Sequence, residues 1–462
     1  MKNLILRYII LIIYSILISI QSYAQIITTV VGNATLATGY SGDGGQATSA
    51  QLNYPQGIAF DSFNNMYIAD YGNNVIRKVT TGNIISTFAG NYTLGIGYSG
   101  DGGQATSAQL DSPTGITFDA SGNMYIVVGK VIRKVTTGGI ISTVAGNNSL
   151  IVGYSGDGGI ATSAQLYSPN DIAFDASGNM YISDFGNNVI RKVDAITNII
   201  STVVGNYALG TGYSGDGGLA TSAQLYHPEG IAFDASGNMY IADQYNQVIR
   251  KVTTGGIIST VAGNYSLGSG YSGDGAIATS AQLSSPHDIA FDSNDNMYIV
   301  DNSNSVIRRV DAITGIITTI AGNYILGATY KGDGGLATAA ALKYPSFIAF
   351  DSFNNMFIAD YGNNVIRKVS ASVITTKIQP ATTIENELII YPNPNNGNFE
   401  LRTNNYELGL IQIRNSLGEL IYSNQPIQKS ILINLSQLNN GAYFVSSNGT
   451  NEPIYQKIIV NK

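Results

Sequence analysis

The chain has no cysteine, no tryptophan and only two histidines among its 462 residues. Without cysteine there is no disulfide, no thiolate metal centre and no cysteine nucleophile, so packing and strand pairing alone must hold the fold. The absence does not fix the compartment, because many exported bacterial proteins also lack cysteine. Charge is scarce as well: 11% of residues are Asp, Glu, Lys or Arg, against about 25% in an average globular chain. The 23 basic residues are outnumbered by 30 acidic ones. That balance excludes a nucleic-acid binder, which needs clustered Lys and Arg to neutralise phosphates. Proline is sparse, 11 residues against 53 glycines. Glycine without proline, beside 30 tyrosines, points to many tight turns between short strands.

Long hydrophobic runs are missing too, with one exception at the N-terminus. Lys2 and Arg7 precede an apolar run from Tyr8 to Ile20, and the small residues Ser22 and Ala24 come after it. Residues 1–24 therefore read as a signal peptide cleaved after Ala24. No other stretch approaches the ~20 apolar residues that cross a bilayer, so no transmembrane span is expected in the mature chain.

What the sequence has in abundance is repetition. A Gly-Asp-Gly element recurs with its aspartate at Asp43, Asp101, Asp157, Asp216, Asp274 and Asp333, at spacings of 58, 56, 59, 58 and 59 residues. Each copy leads through Ala-Thr-(Ser/Ala)-Ala to a proline (Pro55, Pro113, Pro169, Pro228, Pro286, Pro345) and then to short β-rich segments bounded by Gly, Asn and Asp. A fixed period of this length means a repeat architecture. Segments such as Met66-Tyr-Ile-Ala69 are apolar at consecutive positions, which requires cover on both faces of a sheet. Six four-stranded sheets stacked radially provide that cover, whereas one open sheet of two dozen strands would exceed the usual size. The fourth-strand pattern occurs seven times, the first at 26–32 and the last, weakly, at 373–378. The expectation is that 26–32 closes the ring, since 373–378 lacks the Ala-Gly ending.

Pro-x-Gly-Ile-Ala-Phe-Asp, Gly-Asn-Met-Tyr-Ile-Ala-Asp and Asn-Asn-Val-Ile-Arg-Lys-Val resemble the NHL repeat of β-propeller proteins, in its bacterial variant with a Gly-Asp-Gly-Gly insert. The resemblance implies an all-β fold with a six-bladed propeller over 25–378. Members of that family bind proteins, RNA or ligands, and a few relatives are metal-dependent lyases or lactonases. Residues 379–384 read as a linker. Over 385–462, short alternating strands predict a small β-sandwich. There Tyr391-Pro-Asn-Pro, Gly418-Glu-Leu-Ile-Tyr422 and Lys457-Ile-Ile-Val460 resemble the type A C-terminal sorting domain of the type IX secretion system of Bacteroidota. This implies the secretion machinery as a partner and delivery through the periplasm to the cell surface or the medium.

Chemistry is harder to find. His227 and His287, with the adjacent Glu229 and Asp288, are the candidates for a metal or catalytic site. The bland alternative is variation at a loop-to-strand position filled elsewhere by Gln56, Thr114 or Asn170. The six aspartates at 43, 101, 157, 216, 274 and 333 are candidate repeat-loop ligands. Calcium would need six to eight oxygens, so the expectation is that each caps the turn next to it. No cofactor is expected, with Ca²⁺ as the alternative. The pairs Asp70/Arg77, Asp184/Arg191, Asp243/Arg250, Asp301/Arg308 and Asp360/Arg367 read as structural charge pairs across a hairpin. The second unit has Val128 in place of the aspartate and a shorter hairpin. Tyr40, Tyr98, Tyr154, Tyr213, Tyr271 and Tyr330 would suit recognition of a glycan or protein, or would pack the inserts onto the disc. An enzyme usually breaks repeat symmetry at its site, and these units share most of their features. The reading is therefore an exported, noncatalytic propeller that binds a protein or glycan outside the cell. The alternatives are a metal-dependent lyase or lactonase, and a structural component of a surface layer or matrix.

Overall fold

A computed structural model describes residues 25–371, 388–393, 395–403, 408–415, 419–426, 429–447 and 454–461. The expected signal peptide (1–24), the linker (379–384) and the competing closing strand (373–378) lie outside the described residues. The chain divides into two compact units, Met1–Val373 and Ile374–Lys462.

The first unit is a propeller of six four-stranded antiparallel sheets. Blade 1 shows the pattern. It is built from β2 (Pro55–Phe60), β3 (Met66–Asp70), β4 (Val75–Val79) and β5 (Ile85–Ala89), paired in that order. Every residue of β3 is buried, as the consecutive apolar positions require. The inner strand of each blade packs against that of the next, and blade 6 packs against blade 1, so the ring is closed. Closure is made by β1 (Gln25–Val31), which pairs with Val365–Ala371 and becomes the outermost strand of blade 6. Ile27 and Val31 on β1 are fully buried. This removes the open edge that a linear array of blades would leave.

Each insert between blades turns back on itself. Gly42 and Gly44 both take positive φ, and Ala47–Ser49 makes one 3₁₀ turn with Ala47 buried. The register between the third and fourth strands slips at Ile76/Arg77 and at the equivalent place in blades 2 to 5. Such a bulge re-aims a side chain, and here it sits at the arginine.

The second unit is a β-sandwich. Leu388–Tyr391, Asn398–Thr403 and Ser430–Asn434 form one sheet; Leu420–Asn424, Ile411–Arg414, Gly441–Ser447 and Ile454–Val460 form the other. Phe399, Leu401 and Ile433 from the first sheet and Ile411, Val445 and Ile458 from the second share one core.

Candidate functional site

The charged groups repeated in every blade form a belt tied to the inserts. Arg77 is fully buried, with Nη2 2.6 Å from Asp43 Oδ1 and Nη1 3.4 Å from Asp70 Oδ2. Asp43 also accepts hydrogen bonds from Thr87 N (3.1 Å) and Tyr40 OH (3.0 Å). Contrary to the expectation from the sequence, the aspartate is therefore not a cap for its own turn. It fastens the insert to the third and fourth strands of the following blade. Burial works against its charge, but the bonds from Thr87 and Tyr40 and the Arg77 guanidinium hold its carboxyl below the ordinary value. The same pairing joins Arg133 to Asp101, Arg191 to Asp157, Arg250 to Asp216, Arg308 to Asp274 and Arg367 to Asp333. The Asp70-type partner is the longer contact, 3.3–3.4 Å in blades 1, 3, 4, 5 and 6. In blade 2, where Val128 replaces it, Arg133 Nη1 turns to the Gln109 carbonyl at 2.9 Å.

The insert tyrosines belong to this belt. The Arg77 guanidinium lies 4.9 Å from the Tyr40 ring centre, and Tyr92 stacks on Tyr40 at 4.1 Å. Tyr154, Tyr213 and Tyr271 stack likewise on Tyr207, Tyr265 and Tyr324. For Tyr98 and Tyr330 the corresponding partner positions hold Asn148 and Ala34.

The mouth of the central channel is different in kind. Every blade enters its inner strand through a residue in the left-handed region directly before the proline: Tyr54, Ser112, Ser168, His227, Ser285 and Tyr344, at φ of 47–53°. A side chain from the neighbouring blade holds this conformation, as when Asn364 Oδ1 accepts from Tyr54 N (2.8 Å) and Asn188 Oδ1 from His227 N (2.9 Å). The residues after the proline are Gln56, Thr114, Asn170, Glu229, His287 and Ser346, six equivalent positions with six different side chains. This column departs from the features that the units otherwise share.

Three of the four candidate site residues meet in this channel. His287 Nδ1 is 2.9 Å from Glu229 Oε2, and Gln244 Nε2 is 3.0 Å from His287 Nε2, so each ring nitrogen has a polar neighbour. Asp288 Oδ2 accepts from Ile348 N of blade 6 at 2.9 Å, and its other oxygen would lie 2.6 Å from a Cβ at Gly230 of blade 4. Asp171 does the same two blades earlier, accepting from Ile231 N at 2.9 Å, with Oδ1 2.5 Å from a Cβ at Gly115. Glycine is required at both places to let the carboxylate in. Burial pushes both aspartates well above the ordinary carboxyl range, Asp288 being raised further by Asp171 and Asp171 by Glu229. His227 stands apart. It precedes Pro228 rather than following it, and its ring stacks on Phe185 at 4.2 Å and against Tyr245 at 4.6 Å. The two histidines therefore do not share a site. Among the described residues no three His, Asp or Glu side chains converge to hold a metal ion.

Beside His287 the mouth opens into a cavity of about 290 Å³ lined by Gln56, His287, Asn302, Tyr344, Ser346 and Tyr361. Tyr54 stacks on Tyr361 at 4.9 Å, extending the aromatic wall. Asp171, Gln244, Asn302 and the tyrosines at 54, 344 and 361 were missed by motif reasoning. They are visible only when aligned units are read for the columns that do not repeat.

With this geometry in view, comparison places the chain among known proteins. The model of the teneurin NHL domain matches five overlapping stretches, 30–97, 95–154, 152–214, 209–272 and 267–330. The model of the secretion system C-terminal sorting domain matches 389–461. Teneurin-1 of Gallus gallus is 30% identical over 288 residues, covering 52% of this chain and 11% of that protein. The chain thus spans about a tenth of the length of the curated teneurins it matches. Among solved structures, a Bacteroides thetaiotaomicron protein of unknown function has a TM-score of 0.55 at 18% identity, over 75% of this chain and 76% of its own. An auxiliary nutrient binding protein from Bacteroides ovatus has a TM-score of 0.54 at 17% identity, over 76% and 77%. At these identities the structures share the fold.

Proposed function

The chain belongs to the teneurin NHL domain family, and from that premise we propose that its propeller is a binding module for a protein or glycan, which docks at the channel mouth outside the cell. The C-terminal sorting domain engages the type IX secretion machinery and marks the protein for the cell surface or the outside. One observation carries the binding reading. The belt of Arg, Asp and Tyr repeats from blade to blade because the fold needs it six times, whereas the mouth carries a different residue at each of six equivalent positions. A role that fell on the frame alone would leave no reason for that divergence. The nutrient binding named for the Bacteroides ovatus neighbour is in keeping with it. The test is binding of the purified protein to glycan and protein arrays, repeated with Gln56→Ala/His287→Ala and with Tyr92→Ala on an insert. Binding lost in the first variant and kept in the second is expected. Binding to neither array sinks the proposal, and self-association alone would then favour a structural component.

The His287–Glu229 pair favours a second reading, lyase or lactonase chemistry at the same mouth. A metal-dependent form of that chemistry does not fit the residues present. A catalytic zinc centre wants three protein ligands, and among the described residues no three His, Asp or Glu side chains converge. Turnover of a lactone that vanishes in Glu229→Gln would establish it.

A further inference from the structure

We propose that the cavity between blades 5, 6 and 1 is a subsite for a neutral saccharide unit, with Tyr344 and Tyr361 as its platform and Gln56 and Asn302 as its hydroxyl readers. The proposal rests on the binding reading above and names the ligand class for the same mouth.

The lining chemistry selects it. His287 is the cavity's only ionisable group other than its tyrosines, and its partner Glu229 is already in place behind it. A charged ligand would therefore surrender its hydration without meeting an opposite charge, a poor exchange. A neutral ligand carrying many hydroxyls meets no such penalty. Its C–H faces need apolar cover, and Tyr344 is 46% exposed while Tyr361 is backed by Tyr54 at 4.9 Å. Tyrosine supplies that cover at low entropic cost. Its hydroxyls need both donors and acceptors within reach. Among the described residues, the Gln56 amide makes no hydrogen bond and offers both. Asn302 Nδ2 is held by the Pro345 carbonyl at 2.9 Å, which turns its Oδ1 into a free acceptor of fixed direction. Ser346 Oγ is buried and donates to the Pro55 carbonyl at 3.2 Å, which fixes the floor between blades 6 and 1.

The site is also rigid before anything binds. Tyr54 and Tyr344 are set by the left-handed turns that precede Pro55 and Pro345, and cross-blade bonds to Asn364 Oδ1 (2.8 Å) and Ser305 Oγ (3.4 Å) hold those turns. Holding the aromatic wall in place beforehand removes an ordering cost from binding. None of the other five blade junctions combines two aromatic pre-proline residues with an aromatic second turn: the pre-proline positions between Tyr54 and Tyr344 are Ser112, Ser168, His227 and Ser285. One subsite is therefore expected per propeller.

The experiment uses the full mature chain, a glycan array of neutral and anionic structures, and saturation-transfer NMR with the methyl glycosides of glucose, galactose, mannose and xylose. Expected is binding of a neutral glycan at one site per chain, weakened at least tenfold by Tyr344→Ala and by Gln56→Ala, with melting temperature unchanged. Tyr361→Phe, which keeps the ring and loses the hydroxyl, should weaken it less than Tyr344→Ala. A glycan bound undiminished by both Ala variants overturns the site. Preference for anionic glycans overturns the assignment to a neutral ligand, and no neutral glycan bound while a protein ligand still depends on Gln56 and His287 overturns the saccharide class; either leaves the binding reading standing. Failure of both arrays overturns the two together.

Discussion

Thr29 and Asp333 lie 304 residues apart and are bonded twice, Thr29 N to Asp333 Oδ2 and Thr29 Oγ1 to Asp333 Oδ1, each at 3.1 Å. Thr87 plays this part towards Asp43 in blade 1, so the N-terminal strand completes the belt of blade 6 as well as its sheet. Removing 25–31 takes away two fully buried side chains and leaves Val365–Ala371 as an open edge. The truncated propeller should melt at lower temperature, lose a single sharp transition and become prone to association. Thermal unfolding followed by circular dichroism, with light scattering for association, checks this. An unchanged transition would mean that the ring does not depend on this strand.

Much of this was legible in the sequence. The period gave six units, the count of seven fourth-strand patterns singled out 26–32, and the apolar run Met66-Tyr-Ile-Ala69 implied cover on both sheet faces. The partner of Arg77 was harder. Asp70 stands seven residues away across a hairpin and attracts attention, while Asp43 stands thirty-four residues away in what looks like a glycine loop. The signal was the spacing, which stays at 34 in blade 3 and contracts to 32 where the blade 2 hairpin loses two residues. The mouth was harder still. Repeats draw the eye to what recurs, and the candidate site lies in the columns that do not. Glu229 and His287 are 58 residues apart along the chain, and the packing of the inner strands of blades 4 and 5 brings them within 2.9 Å.

Arg77 is fully buried against Asp70, also fully buried, and Asp43. Replacing it with Met keeps the aliphatic bulk and strips two carboxylates of their partner. Breaking a buried pair from one side costs roughly 3–5 kcal/mol. Arg77→Met should therefore be strongly destabilised in urea unfolding. Arg77→Met/Asp70→Asn should recover a good part of the loss, because the uncompensated buried charge has gone. If the double variant is no better than the single, the cost lies in packing and the pair has no role in it.

Asp171 and Asp288 are held in the channel with carboxyls raised above their ordinary value, chiefly by burial. A carboxyl whose folded value is raised contributes stability that is fully present below its unfolded value, near 4, and is lost as pH rises through the folded one. For Asp171 that upper end is about 7. The wild type should thus lose stability between about pH 4 and 7 through these groups. Asp171→Asn still offers an oxygen to Ile231 N and cannot ionise. Its stability relative to wild type should rise with pH across this window, by roughly 1–3 kcal/mol at the upper end. Denaturant titrations at pH 5 and pH 8 decide it, and a difference that does not grow between them contradicts the assignment.

The sorting domain has its own core, with Phe399, Leu401, Ile411, Val445 and Ile458 packed together, and the propeller's last blade is completed by β1. The two units should therefore fold and fail independently. Deleting 389–461 should leave a propeller with the wild-type melting transition that does not reach the cell surface, since the element read by the secretion machinery is gone. Phe399→Asp should act in the same way without shortening the chain, because a charge in that core unfolds the sandwich alone. Fractionation of cells expressing each form, with protease protection of the retained propeller, measures both halves of the expectation. Surface delivery of either form would remove the sorting role from this domain, and a protease-sensitive propeller would show that the ring depends on the sandwich for its stability.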